Sequence, residues 1–162
     1  KLSFNLSALD LREDQLSSKI EDMLNQYNVD GRNVEIEVTE SAYLDNFDSS
    51  NAFFEDMAKL NCSIALDDFG TGYSSLGYLT QINIDTLKID KQFVGHITHS
   101  NKSKLVTNAI IEMGKQLGLE VCAEGVETVE QARLLKDSGC HLLQGYLYSK
   151  PASIEQLFNP VS

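Results

Sequence analysis

Cys62-Ser63-Ile64-Ala65-Leu66-Asp67-Asp68-Phe69-Gly70-Thr71-Gly72 is the stretch on which the reading of this chain turns. Its first residues alternate, with Ile64 and Leu66 on one face and Ser63, Ala65 and Asp67 on the other. That alternation predicts a β-strand running into two carboxylates and a glycine-punctuated loop. Asp67 leaves the strand on its small-residue face. Asp-Asp before Gly is also ordinary turn composition, so the rest of the chain decides what the pair does. Adjacent carboxylates repel, and at neutral pH they need solvent, a shared proton or a cation.

Outward from this stretch the same pattern recurs. Leu2, Phe4 and Leu6 alternate with Ser3, Asn5 and Ser7, and residues 33–39 set Val34, Ile36 and Val38 against Glu35, Glu37 and Thr39. Residues 85–90 set Leu87 and Ile89 against Thr86, Lys88 and Asp90, and further strands are predicted over 119–124 and 142–146. Apolar residues at helical spacing predict helices over 13–27, 50–60 and 103–117, the last stopped by Gly118. Leu76, Tyr78 and Leu79 suggest a short helical turn, and Thr128 to Gln131 and Ser153 to Gln156 have the spacing of capping boxes that open two further helices.

Strand and helix alternate with no low-complexity linker and no second domain visible, which calls for a parallel sheet. A doubly wound sheet would bind its ligand at one switch point. A (β/α)₈ barrel brings the C-terminal ends of all its strands to one site. Each predicted strand carries a polar residue near that end: Asn5, Glu37, Asp67, Lys88, Glu124 and Gln144. Only a barrel gathers all of these, so the expected fold is α/β, a TIM-type barrel represented by about six of its eight βα units. The chain also opens at Lys1 inside a strand, so residues 1–162 read as a partial domain lacking the first strands.

Composition narrows the partners. A chain of 162 residues with 42% hydrophobic content has enough apolar material for a core, and a formal net charge of -11 argues against a nucleic-acid polymer or an anionic membrane surface. An acidic domain that handles a phosphate-bearing ligand needs divalent metal to cancel the repulsion. Cys62, Cys122 and Cys140 are odd in number and lie mostly in apolar runs, which predicts buried free thiols in a reducing compartment. No apolar run is long enough for a membrane span, so this segment reads as cytoplasmic, with room for an inner-membrane tether in a preceding region.

Asn5, Glu37, Asp67, Asp68 and Glu124 form an oxygen-rich set suited to Mg²⁺ or Mn²⁺, and two adjacent aspartates suit two neighbouring ions. Such a site neutralises a phosphodiester and activates water. Lys88 could hold that water or stabilise developing charge, and Glu124 could be a ligand or a general base. Each has a plainer reading. Lys88 and Asp90 could form an interior ion pair, Glu127 could serve the following helix N-terminus, and Gln144 could be a turn residue. His96 and His99 fall in a polar connection, and His141 is ambiguous.

Glu37-Val38-Thr39-Glu40-Ser41, Asp67 through Leu76, Leu87-Lys88-Ile89-Asp90, Ala123 through Thr128 and Gln144-Gly145-Tyr146 together resemble an EAL domain, in order and spacing over nearly the whole chain. The resemblance implies a barrel that hydrolyses cyclic di-GMP to linear pGpG with Mg²⁺ or Mn²⁺. It implies metal ligands at Asn5, Glu37, Asp67 and Asp68, a water-positioning role for Lys88, a metal-proximal acid at Glu124, and further active-site positions at Glu127 and Gln144. It also implies that the loop from Asp68 to Leu76, with Gly70 and Thr71, couples the site to a homodimer contact, anchored by Glu40. One feature departs from the family: the sequence contains no Glu-Ala-Leu triplet, and Ile64-Ala65-Leu66 lies on a different strand. The expected source is a preceding segment or a strand-swapped second copy. A catalytically inactive cyclic di-GMP receptor or protein-interaction module is the competing reading.

Overall fold

The structure, a computed structural model, describes residues 1–71 and 76–158, the side chain of Leu76 excepted. Six strands, β1 (Leu2–Leu6), β2 (Val34–Thr39), β3 (Ser63–Phe69), β4 (Thr86–Ile89), β5 (Glu120–Ala123) and β6 (Leu142–Leu143), form one sheet in the order β1-β2-β3-β4-β5-β6. Every neighbouring pair is parallel. This sequential order has no switch point, which removes the doubly wound alternative. Right-handed crossovers between successive neighbours put all the helices on one face and leave the other as the interior of a barrel segment.

The helices are α1 (Leu16–Gln26), α2 (Glu40–Asp45), α3 (Phe47–Lys59), α4 (Lys91–Gly95), α5 (Asn101–Gln116), α6 (Val129–Asp137) and α7 (Ile154–Phe158). On the helix-facing side, Ile36, Val38, Ile64, Leu66, Leu87, Ile89 and Val121 meet Tyr43, Phe54, Met57, Ile111 and Leu135, all buried. Each such aliphatic side chain contributes roughly 1.5–3 kcal/mol by leaving water. The period-2 alternation that fills this core turns Asn5, Glu35, Glu37, Asp67, Thr86 and Lys88 to the other face.

The observed elements depart from the expected ones at four places. The helix expected from residue 50 is α3, which starts at Phe47, and it is preceded by α2, which follows β2 directly. Thr39 caps α2 by accepting the Ala42 N–H, an N-terminal signal placed where strand periodicity dominates the reading. The polar connection holding His96 contains α4, capped by the Asp90 side chain, which accepts the Gln92 N–H. Residue 13 falls before α1, and a 3₁₀ turn at Asp10–Arg12 occupies the approach. β6 stops at Leu143 because Gly145 lies against the β5–α6 connection, where a Cβ would sit 2.2 Å from the Val126 carbonyl oxygen. Both capping boxes are formed. Among the described residues, no helix is long and apolar enough to cross a membrane.

Candidate active site

The two aspartates face the site together because β3 is not a regular strand. Leu66 pairs with Leu87 and Phe69 with Ile89, so two residues of β3, Asp67 and Asp68, stand opposite Lys88 alone. This is a β-bulge, and Asp68 absorbs it with φ +56. Strict alternation would have sent Asp68 into the helix layer. Short polar side chains tolerate the left-handed region better than most, which suits Asp to this position.

Lys88 is the centre of charge. It is buried, and its Nζ donates to Glu37 Oε2 at 2.7 Å, lies 2.7 Å from Glu124 Oε1 and 3.4 Å from Asp67 Oδ2. Glu37 sits two strands from Lys88, roughly 10 Å along the sheet. The intervening β3 residue in register with Glu37 is Ala65, whose small side chain leaves the path open. Burial acts against the ammonium charge, but the hydrogen bonds to Glu124 and Glu37 and the charge of Asp67 outweigh it and raise the Lys88 pKa. The interior ion pair with Asp90 is therefore not what Lys88 makes; Asp90 caps α4 and bears on Asp68 instead.

The acids respond to one another. Burial first, then the charge of Asp67 and contact with Asp90, raise the Asp68 pKa. Burial raises Glu124 as well, against the opposing pull of Lys88. Among the described residues, Asp67, Asp68 and Glu124 each offer an oxygen within 4.8 Å of the others. The donor set is all carboxylate, and its mutual repulsion suits a hard divalent cation, so the residues fit such an ion in kind. Glu37 joins this group through Lys88, and Asn5 stands beside Glu37 in the β1–β2 register on an exposed part of the edge strand.

The remaining candidates sit around this centre. Glu40 is buried at the start of α2, where Oε2 accepts the Gly70 N–H at 3.2 Å and Oε1 accepts the Tyr78 hydroxyl at 2.5 Å. Gly70 takes φ +91, where a side chain is strained, and a Cβ there would meet the Phe93 ring tightly at 3.1 Å. Thr71 Oγ1 donates back to the Asp68 carbonyl. The loop continues through 72–75, outside the described residues. Glu127 and Gln144 do not join the acid cluster; they are exposed and line a cleft of about 250 Å³ with Lys91, Glu124, Gly125, Gly145 and Tyr146. Lys91 was not singled out by the sequence, although it directly follows Asp90, and Tyr146 entered only as the end of the Gln144-Gly145-Tyr146 motif.

The cysteines are buried free thiols, with Cys122 pushed up to about 12 and Cys140 to about 11, chiefly by burial. They are not nucleophiles at neutral pH. His141 Nδ1 accepts the Val121 N–H at 3.0 Å and helps join β5 to the start of β6.

A parallel barrel segment carries half-buried acids and one buried lysine at the C-terminal ends of its strands, the end at which TIM barrels place their sites. The family model for the EAL domain matches residues 1–151, and the chain belongs to that family. The cyclic di-GMP phosphodiesterase NbdA of Pseudomonas aeruginosa is 38% identical over 157 residues, which cover 97% of this chain and 20% of NbdA. The solved complex of the MucR phosphodiesterase of Pseudomonas aeruginosa with c-di-GMP is 37% identical at a TM-score of 0.91, covering 96% of this chain and 63% of that one. The manganese and cyclic di-GMP complex of Klebsiella pneumoniae BlrP1 is 32% identical at a TM-score of 0.87, covering 94% of this chain and 39% of that one. The chain spans 19% to 24% of the length of the first curated relatives it matches.

Proposed function

We propose that this chain forms part of a metal-dependent phosphodiesterase that opens cyclic di-GMP to linear pGpG. The observation that carries the reading is the buried Lys88 held among Glu37, Asp67 and Glu124, beside the bulge that adds Asp68. The likeness to MucR and BlrP1, solved with the cyclic dinucleotide, supports it.

Asp67, Asp68 and Glu124, with Glu37 and Asn5, would hold Mg²⁺ or Mn²⁺. When bound, such ions offset the phosphodiester charge and make water nucleophilic near neutral pH. Lys88 donates to the attacking water and to the charge that grows on the phosphorus oxygens. Glu124, with its raised pKa, takes the water proton. Water adds to phosphorus as the P–O3′ bond breaks, and the departing O3′ takes a proton from solvent, which leaves a 5′-phosphate and a free 3′-hydroxyl, the ends of pGpG. Glu127 and Gln144 contact the substrate from the adjoining cleft, and Glu40 holds Gly70, next to Thr71, at the start of the loop that makes the homodimer contact. The pocket works in the cytoplasm.

The experiment is product analysis. Purified full-length protein is incubated with cyclic di-GMP and Mg²⁺ or Mn²⁺, and the nucleotides are separated. The expected product is pGpG, formed about 10–100-fold more slowly by Glu37→Ala. Cyclic di-GMP retained on the protein without any linear product would instead make this a receptor.

A further inference from the structure

We infer that Gln131 is a positioning residue for the Glu124–Thr128 loop, beyond its part in the capping box of α6. In an ordinary capping box the third side chain returns to the N-cap N–H and no further. Here Gln131 Oε1 accepts both the Thr128 N–H at 2.9 Å and the Glu127 N–H at 2.8 Å. Its Nε2 reaches a different element, donating to the Val94 carbonyl on α4 at 3.4 Å. Gln131 is 6% exposed, and its bond to Val94 is buried, where losing a partner costs most, while the two loop bonds are part-buried.

The consequence lies in what the two connected pieces carry. The loop bears Glu124, bonded to Lys88, and Glu127, on the cleft. Helix α4 begins two residues after Ile89 and carries Lys91 at the same cleft, packed so closely on Gly125 that a Cβ there would meet Lys91 Cβ at 2.5 Å. Gln131 thus fixes the β5 side of the site against the β4 side. The reciprocal half of the capping box, Gln131 N–H to Thr128 Oγ1 at 3.2 Å, does not use the Gln131 side chain. Capping and positioning can therefore be separated by substitution.

The inference rests on the proposed function for its kinetic readout but not for its binding readout. Full-length wild type, Gln131→Met, Gln131→Glu and Thr128→Ala are compared in melting temperature, in kcat and KM for cyclic di-GMP, and in Mn²⁺ affinity by calorimetry. Gln131→Met removes every side-chain bond; it is expected to lower kcat and Mn²⁺ affinity about tenfold or more with KM within about twofold. Gln131→Glu keeps the acceptor for both N–H groups but sets a carboxylate oxygen against the Val94 carbonyl, and is expected to leave kcat and Mn²⁺ affinity well short of wild type. Thr128→Ala is expected to lower the melting temperature while leaving kcat and Mn²⁺ affinity within about twofold of wild type. If Thr128→Ala and Gln131→Met change kcat and Mn²⁺ affinity alike, or neither changes them, Gln131 is a helix cap only. If wild type turns nothing over yet Mn²⁺ affinity follows the expected order, the catalytic reading fails and the positioning role stands.

Discussion

Lys88 Nζ lies 2.7 Å from Glu124 Oε1, joining the C-terminal ends of two neighbouring strands through a buried ion pair. The same ammonium also compensates Glu37 and Asp67. Replacing it with methionine keeps the volume and strands three carboxylates. In chelator, Lys88→Met is expected to lose about 3–5 kcal/mol of folding stability. Urea unfolding checks this, and saturating Mn²⁺ should restore a large part of the loss.

Stability should also turn on pH in a way that metal reverses. Asp68 is raised above 3.8 by burial and by Asp67 and Asp90, and Glu124 is raised above 4.5 by burial despite Lys88. A carboxyl raised on folding holds its proton more tightly when folded, so its contribution is complete below the ordinary value and fades as pH climbs through the raised one. Urea midpoints of chelator-treated protein should therefore fall across the window that opens at 3.8 and 4.5. Metal needs the deprotonated oxygens, so with Mn²⁺ the midpoints should rise over the same window. Parallel slopes in the two series would count against a metal site at these acids.

The bulge gives Asp68 a conformational role separate from its charge. Asn tolerates φ +56 and Val does not. Asp68→Asn should unfold at nearly the wild-type urea concentration while its Mn²⁺ affinity falls about tenfold or more. Asp68→Val should lose a further 1–2 kcal/mol, roughly, from strain.

Glu40 ties the Gly70 loop to the turn that carries Tyr78. Tyr78→Phe removes one donor from a buried carboxylate and is expected to cost about 1.5–3 kcal/mol in urea unfolding. Glu40→Gln should cost less than Glu40→Ala, because the amide oxygen still accepts one of the two donors.

The helix-free face was legible because Glu37, Asp67 and Lys88 each fall on the polar phase of a period-2 strand, and parallel register carries that phase from strand to strand. Asp68 was legible as a candidate ligand from its adjacency to Asp67 and from family resemblance but not from periodicity, which sends it to the opposite face, because the bulge is a property of the pairing with β4. The short helices α2 and α4 were missed because five or six residues hold too little periodicity, leaving only the caps at Thr39 and Asp90 as signals. The expected sixth strand was too long because the close approach of Gly145 to Val126 is a tertiary fact. Gln131 was readable as a cap, but nothing in the chain order brings Val94 to its amide.

The central claim is that the acids around Lys88 form a metal-dependent hydrolytic site. The most direct measurement is cyclic di-GMP turnover by chelator-treated full-length protein as Mn²⁺ is added back, in wild type and Lys88→Met. No turnover is expected without metal, with saturable recovery in wild type and at least about 100-fold less in Lys88→Met at saturating Mn²⁺. Turnover that is indifferent to chelator, or a Lys88→Met protein as fast as wild type, would contradict it.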